Sequence, residues 1–450
     1  MIKSFISLYN PIRKIFGAPT MTGPMHRRDF LGRTALTGAA AAAASFTTAR
    51  GWADDEAPSQ KVTIGVMGLE RGKALATGFA RQPGVVIKYA CDVDINRAEA
   101  GAKAVNDING DSPQAIQDFR RILDDPEIDA LIVAAPHHWH APATILGCAA
   151  GKHVYVEKPC SHTPQEGELM VEAARKHKRA VQMGSQRRSS EAQQELMAML
   201  KDGVIGRVYH ARTYYNNARG SIGHADPSAP PDHIDYELWQ GPAPRRPYQS
   251  NVVHYNWHWF WHWGNGELGN NGVHALDIAR WGLGVDFPTR VTSIGGRYVY
   301  EDDQETPDTH NVGFEFPGKV SCTWEGLSCN RHGEPFVTFY GTEGAVDVFG
   351  NSRFKVYDNA KKLVKEVQGN NGDSEHLADF LAAIRDEKPT RLNAEIAEGH
   401  KSNLLCHLGN IAHRVGRSLE CNPENGHVEG DSEAMELWGR EYENGWEPKV

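Results

Sequence analysis

The sequence predicts two units in series: an α/β domain with a doubly wound parallel sheet over residues 60–182, then an α+β domain with a large, mostly antiparallel open sheet over 183–450. Three observations carry this reading. From Lys61 to Gln182, apolar β-branched runs alternate with helical stretches, the signature of strand-helix-strand crossovers. Beyond that point RVYHARTYYNN, RVTSIGGRYVYE, THNVGFEFPGKVSCTWEG and EPFVTFYGTEGAVDVFG alternate as strands do and are broken by glycines. Two amphipathic helices, SEHLADFLAAIRDEKP and EIAEGHKSNLLCHLGNIAHRVG, follow and are expected to pack back on the first domain.

Composition narrows the function classes. The 450 residues are 40% hydrophobic and 23% charged, with 48 basic against 57 acidic side chains and a net charge of −9. That sign opposes a grip on phosphate backbones, so nucleic acid is not expected as a partner. Neither a collagen period, a heptad run nor a solenoid repeat is visible.

The first fifty residues read as an address. His26-Arg27-Arg28-Asp29-Phe30-Leu31 precedes an Ala-rich apolar stretch from Leu36 to Phe46, a pattern that resembles a twin-arginine export signal. The apolar run is well short of the ~20 residues a spanning helix needs, so stable membrane insertion is not expected. Cleavage is expected near Ala53, with Met21 or Met25 as alternative starts, and a periplasmic location follows. Residues 1–53 carry seven basic side chains against the single Asp29, so removal takes the net charge from −9 to about −15. The seven cysteines are scattered, without CxxC spacing, and read as mostly buried thiols.

The first domain reads as a dinucleotide binder. In KVTIGVMGLERGKALATGFARQPGVVIKYACDVD a strand meets a glycine turn, a helix follows, and a second strand ends at Asp92, 24 residues after Gly68. Such a turn brings backbone N–H groups and a helix N-terminus to a pyrophosphate, and the acid hydrogen-bonds the adenosine ribose. The fingerprint is incomplete: Glu70 and Lys73 stand where glycines are usual, and Gly72, which falls one place early, is still expected to contact the cofactor with Gly68. Glu70 is therefore expected to point away, with Arg71 supplying compensating charge. Asp92 would repel a 2′-phosphate, which favours NAD over NADP, although Arg97 lies near enough to tolerate one.

A family resemblance enters at IDALIVAAPHHWHAPATILGCAAGKHVYVEKP. The strand running into Glu157-Lys158-Pro159 is similar to the most specific motif of the glucose-fructose oxidoreductase, inositol dehydrogenase and MocA (Gfo/Idh/MocA) superfamily, and the resemblance spans nearly all of residues 60–450. It implies a Rossmann domain followed by an antiparallel-sheet domain, NAD(P)-dependent oxidoreduction of a sugar or polyol, and a homo-oligomer. It also implies that Pro136, Glu157 and Lys158 lie along the cofactor and that His140, after a strand end, contacts nicotinamide or substrate.

Hydride transfer from a carbinol needs a group that takes the hydroxyl proton while the carbinol carbon is held close to the nicotinamide. Lys158, at the C-terminal end of a parallel strand, suits that role if burial lowers its pKa towards neutrality. The second constellation is GNGELGNNGVHALDIARWGLG, residues 264–284. If helical from Asn271, it places Asn270, His274 and Asp277 on one face. The family pattern resembles G-G-x-L-x-D-x-G-x-H-x-x-D, so His274 matches the catalytic His and Asp277 the following acid, expected to bind substrate. Asn270 stands where many members carry Asp; an amide takes no proton, so it is left to orient substrate hydroxyls.

Upstream, His254, His258 and His262 recur at steps of four in HYNWHWFWHWGNG. A metal face is one reading, but the segment holds no acid or Cys and is crowded with tryptophans, so Trp257 is expected to pack on sugar C–H surfaces and no metal is expected. The proline-rich loop from Gly220 to Pro247 is expected to cover the site or an oligomer contact.

Export adds one constraint. No dependable pool of free NAD exists outside the cytoplasm, so the cofactor must stay bound; at k_on ~10⁶ M⁻¹s⁻¹ a Kd of ~1 nM already implies loss over roughly tens of minutes. The chemistry expected is hydride transfer on a tightly bound cofactor, with a redox-neutral glycosidase, lyase or epimerase as the alternative and a catalytically silent sugar binder as the third.

Overall fold

The computed structural model describes residues 61–450. The export motif lies outside the described residues. Six strands, β1 (Val62–Met67), β2 (Val85–Cys91), β3 (Gln114–Ile116), β4 (Ala130–Val133), β5 (His153–Val156) and β6 (Val181–Met183), form a parallel sheet ordered β3-β2-β1-β4-β5-β6. This is the doubly wound order with its switch point between β1 and β4. The central strands are buried on both faces, which is why they read as apolar runs without alternation.

Local signals set the crossovers α1 (Arg71–Ala80), α2 (Ile95–Asn109), α3 (Arg120–Asp124), α4 (His137–Ala149) and α5 (Pro164–His177). Asp94 caps α2 by accepting from Asn96 N–H at 3.0 Å, and Gly110 ends it at φ +80°. Thr163 and Glu166 form a capping box at α5, with Pro164 in its first turn.

After α6 (Glu191–Lys201), the chain builds a ten-stranded sheet from β7 (Val208–Ala218), β8 (Arg290–Gly296), β9 (Thr309–Phe316), β10 (Val320–Leu327), β11 (Cys329–Asn330), β12 (Val337–Gly341), β13 (Gly344–Val348), β14 (Phe354–Asp358), β15 (Leu363–Val367) and β16 (Leu419–Glu420). Its order is β15-β14-β13-β12-β7-β10-β9-β8-β16, with β11 paired to the end of β7; only β7 and β10 run parallel. Between β7 and β8 lie α7 (Tyr236–Gln240) and α8 (Val273–Leu283). Alternate residues of β9 and β10, such as Phe314 and Trp324, turn into one core with Leu276 of α8 and Leu404 and Leu408 of α10 (Ile396–Val415). The large sheet therefore serves as a platform for α8.

The helix α9 (Asp373–Arg385) returns to the first sheet, where Phe380 meets Phe79 with ring centroids 6.1 Å apart. A short α11 (Ser432–Glu436) follows α10. All seven cysteines are free, six of them buried. Among the described residues, no helix is long and apolar enough to cross a membrane.

Candidate active site

A cavity of about 360 Å³ opens at the C-terminal ends of β1, β2, β4 and β5, where open α/β sheets place their ligands. Gly68 begins the turn after β1 at φ +85°, and a Cβ there would lie 2.6 Å from the Ala134 carbonyl oxygen. Only glycine fits so close an approach. The N-terminus of α1 has no side-chain cap, so its first N–H groups are free to receive an anion. Glu70 stays at the exposed edge of the cavity, where Arg97 pairs with it at 2.9 Å and offsets its charge. Arg71 lines the cavity and donates to Glu157 across the cleft at 3.1 Å.

Asp92 accepts from Leu69 N–H (2.7 Å) and Asp94 N–H (3.0 Å), and burial raises its pKa. Each oxygen keeps a lone pair for a hydroxyl donor. Pro136 and Glu157 line the same cavity. A glycine cradle, an uncapped helix start and a carboxylate with acceptor capacity fit a dinucleotide. Gly68, Asp92, Arg71, Pro136 and Glu157 are the residues that would hold it.

Gly72 corrects an expectation. It does not line the cavity; it is buried, and a Cβ would press to 3.2 Å on Val66 and 3.3 Å on Ala134. Its smallness serves the close packing of α1 on the sheet.

The second half of the site arrives on one turn. Leu268–Gly272 is a π-helical segment that leads directly into α8. Lys158 Nζ donates to the Asn270 carbonyl oxygen at 2.8 Å and to Asn270 Oδ1 at 3.1 Å. The amide orientation is set from behind, since Asn270 Nδ2 faces Glu267 Oε1 at 3.5 Å. Glu267 is buried, held by Arg219 at 2.5 Å and by Asn271. Sequence reasoning missed Glu267 and Arg219; a buried acid three residues before Asn270 in GELGNN was the available signal. Burial lowers the Lys158 pKa, partly offset by Glu157 and Glu267.

His274 lines the cavity beside Lys158 and Asn270. It is half-buried, and among the described residues no hydrogen bond engages its ring. Burial, then the charges of Arg187 and Lys158, push its pKa well below the usual imidazole value. A neutral ring therefore presents both a donor and an acceptor nitrogen.

One further expectation is corrected and two are narrowed. Asp277 is sealed away from the cavity: it accepts from Arg188 Nε at 2.9 Å and from Ser402 Oγ at 2.6 Å, one helical turn beyond His274 and on the side packed against α10. His140 lines the cavity, yet its Nδ1 lies 2.6 Å from the Pro159 carbonyl and its Nε2 2.7 Å from that of Ala135. A neutral ring can donate to only one of these two carbonyls, and either bond ties His140 to the backbone at the cavity wall, next to the Lys158 loop. Trp257 is in the wall, but His258 is stacked on it with centroids 3.6 Å apart, which closes one face to a sugar.

The three histidines at steps of four do not share a face, because Asn256–Trp259 is a 3₁₀ turn. His254 meets Asp94 at 3.1 Å, His258 the Tyr255 carbonyl at 2.6 Å and His262 the Pro244 carbonyl at 2.8 Å. His137, also in the cavity wall, is buried with its Nδ1 unpartnered.

A dinucleotide cradle joined to a Lys/Asn/His corner defines the class: an enzyme with a Rossmann cofactor domain and a separate substrate platform. Comparison with known proteins agrees. Residues 62–185 match the oxidoreductase-family model for an NAD-binding Rossmann fold, and residues 217–447 match the C-terminal alpha/beta domain of the same family. The chain belongs to the Gfo/Idh/MocA oxidoreductase family, and its cofactor is NAD.

A "Glycosyl hydrolase family 109 protein" of Saccharopolyspora erythraea is 28% identical over 222 residues, 45% of this chain and 48% of that protein. The match thus spans about half the length of that relative. Among solved structures, levoglucosan dehydrogenase in complex with NADH and levoglucosan is similar at a TM-score of 0.63 and 20% identity, over 80% of this chain and 99% of that one. An aldose-aldose oxidoreductase from Caulobacter crescentus, complexed with glycerol, gives 0.60 and 19% over 80% and 99%. At these identities the two structures establish the fold.

Proposed function

We propose that this protein is an NAD-dependent oxidoreductase acting on a sugar or polyol, exported by the twin-arginine route to the periplasm with its cofactor retained. The observation that carries the reading is the corner where Lys158 Nζ donates to both oxygens of Asn270 beside the unpartnered ring of His274. When bound, NAD supplies hydride acceptance at the nicotinamide. The chain's own residues handle the proton. A neutral amine has two N–H groups and one lone pair. With both N–H groups directed at Asn270, the lone pair of Lys158 is left to accept the substrate hydroxyl proton. Asn270, lacking a titratable proton, keeps Nζ oriented. His274 holds a neighbouring hydroxyl through its free nitrogen.

A second reading, a redox-neutral glycosidase, lyase or epimerase that oxidises a carbon transiently and returns the hydride, is favoured by Asn270. Its neutral amide where many family members carry Asp shortens the route for carrying a proton away, which suits an enzyme that gives the proton back. The names of the similar glycosyl hydrolase and aldose-aldose oxidoreductase accord with it.

The test uses purified protein. Denaturation followed by mass spectrometry is expected to release NAD, and sugars are expected to change the nicotinamide absorbance of the bound cofactor. Stable reduction without turnover marks a half-reaction of the oxidoreductase; cleavage of a chromogenic glycoside at constant cofactor marks the glycosidase. Purified protein that neither holds nor takes up NAD would contradict both. The same proposal includes a homo-oligomer, supported by the exposed Ile294, Tyr298 and Val299 at the end of β8 and tested by sedimentation velocity.

A further inference from the structure

Residues 233–258 follow β7 in the chain, yet they are tied to the tip of β2 in the first sheet. Asp94 and Ile234 form an antiparallel bridge, in which Asp235 N–H donates to the Val93 carbonyl at 2.9 Å and Ile95 N–H to the His233 carbonyl at 3.2 Å. Gln117 Nε2 also donates to the Val93 carbonyl at 2.9 Å. His254 Nε2 lies 3.1 Å from Asp94 Oδ2, and His233 Nε2 lies 3.7 Å from the same oxygen. Val93 itself packs against the aromatic cluster of Trp239, Trp257 and Trp263.

A second anchor ties the same segment to α4. The Trp239 carbonyl accepts from His138 Nε2 at 2.9 Å and Trp139 Nε1 at 3.0 Å. Gly241 then turns at φ +42°, where a Cβ would lie 1.9 Å from the Trp139 ring. No other residue fits over that indole. Asp92, Val93 and Arg97 of the first domain and Trp239, His254 and Trp257 of this segment all line the cavity.

We infer that residues 233–258 are a strap that keeps the dinucleotide in its cleft, latched by the Asp94–His254 contact and the Asp94–Ile234 pairing, so that release requires the latch to open. The inference rests on the proposed retention of NAD and names the residues responsible. A pocket that closes by its own hydrogen bonds lowers k_off without needing new contacts to the ligand. Asp94 and His254 act as positioning residues here, since neither is placed at the reacting atoms.

The full chain, loaded with NAD, is diluted into nucleotide-free buffer, and release is followed by mass spectrometry. Amide hydrogen exchange at residues 93–96 and 233–240 is read with and without NAD. Asp94→Asn keeps the Oδ1 acceptor that caps α2 while removing the charge facing His254; His254→Ala removes the other half of the latch. Both variants are expected to release NAD at least about tenfold faster than the parent protein. Bound NAD is expected to slow exchange of the Ile95 and Asp235 amides severalfold. Unchanged release in both variants, or exchange at these amides indifferent to NAD, overturns the strap and leaves the NAD reading standing. A parent protein that takes up no NAD overturns that reading and the strap with it.

Discussion

Asn270 and His274 on one side, Asp277 and Arg280 on the other, occupy a single stretch of chain and are all polar, yet they have opposite fates. Asn270 and His274 open onto the cavity. Asp277 is closed by Arg188 and Ser402, and Arg280 by Asp286 at 3.0 Å together with Glu398. The difference lies in the partners. A buried polar group whose bonds are completed by its own protein stabilises the fold, whereas one left incomplete has capacity for a ligand.

The largest expected effect breaks the open half. Lys158→Met removes the proton acceptor and is expected to lower kcat by about 10²–10⁴, the range for a positioned general base. It is read as turnover per bound nucleotide, and a loss below about tenfold would argue against the assigned role.

The counterpart breaks the closed half. Asp277→Ala leaves the buried Arg188 with only the more distant Glu398, at 3.7 Å, a loss expected to cost up to about 3–5 kcal/mol of stability. Chemical denaturation measures it. The comparison fails if Asp277→Ala instead abolishes turnover while leaving the unfolding midpoint in place.

Asn270→Asp sharpens the open half. A carboxylate against Lys158 Nζ favours the charged amine and raises its pKa by about one to three units. Because the deprotonated amine is the active form, the rising limb of the pH–rate profile is expected to move by that amount to higher pH. A limb that stays put would show that Lys158 is not the titrating base.

The last expected effect is the most gradual and concerns three buried histidines. Burial holds His137, His138 and His162 well below the usual imidazole pKa. They are neutral when folded and take up protons near pH 6.5 when unfolded, so the unfolded state binds more protons as pH falls. Stability is therefore fully present above about pH 6.5 and is lost below it, by up to about 1.4 kcal/mol per histidine for each pH unit. Denaturation midpoints across that window check the slope.

Much of this was legible in the sequence, for a physical reason. Buried parallel strands must be apolar, and the glycine turn at Gly68 must be glycine, so the first domain announced itself residue by residue. Lys158, Asn270 and His274 were singled out by the family motifs they resemble, and a strand end and helical spacing agreed with that placement. The same spacing misplaced Asp277: period gives a face of a helix but not what is packed opposite, and its partners lie 89 and 125 residues away in the chain. Gly72, one place short of a fingerprint position, serves helix packing. The attachment of the 233–258 segment to Asp94 was invisible for the same reason, since it depends on a bridge between remote backbones.

The most direct test is a single-turnover reduction of NAD-loaded protein by an excess of sugar, comparing the parent with Lys158→Met at equal bound nucleotide. The account predicts rapid change in the nicotinamide absorbance of the parent and a variant slower by at least about a hundredfold. Equal rates in the two proteins would contradict it.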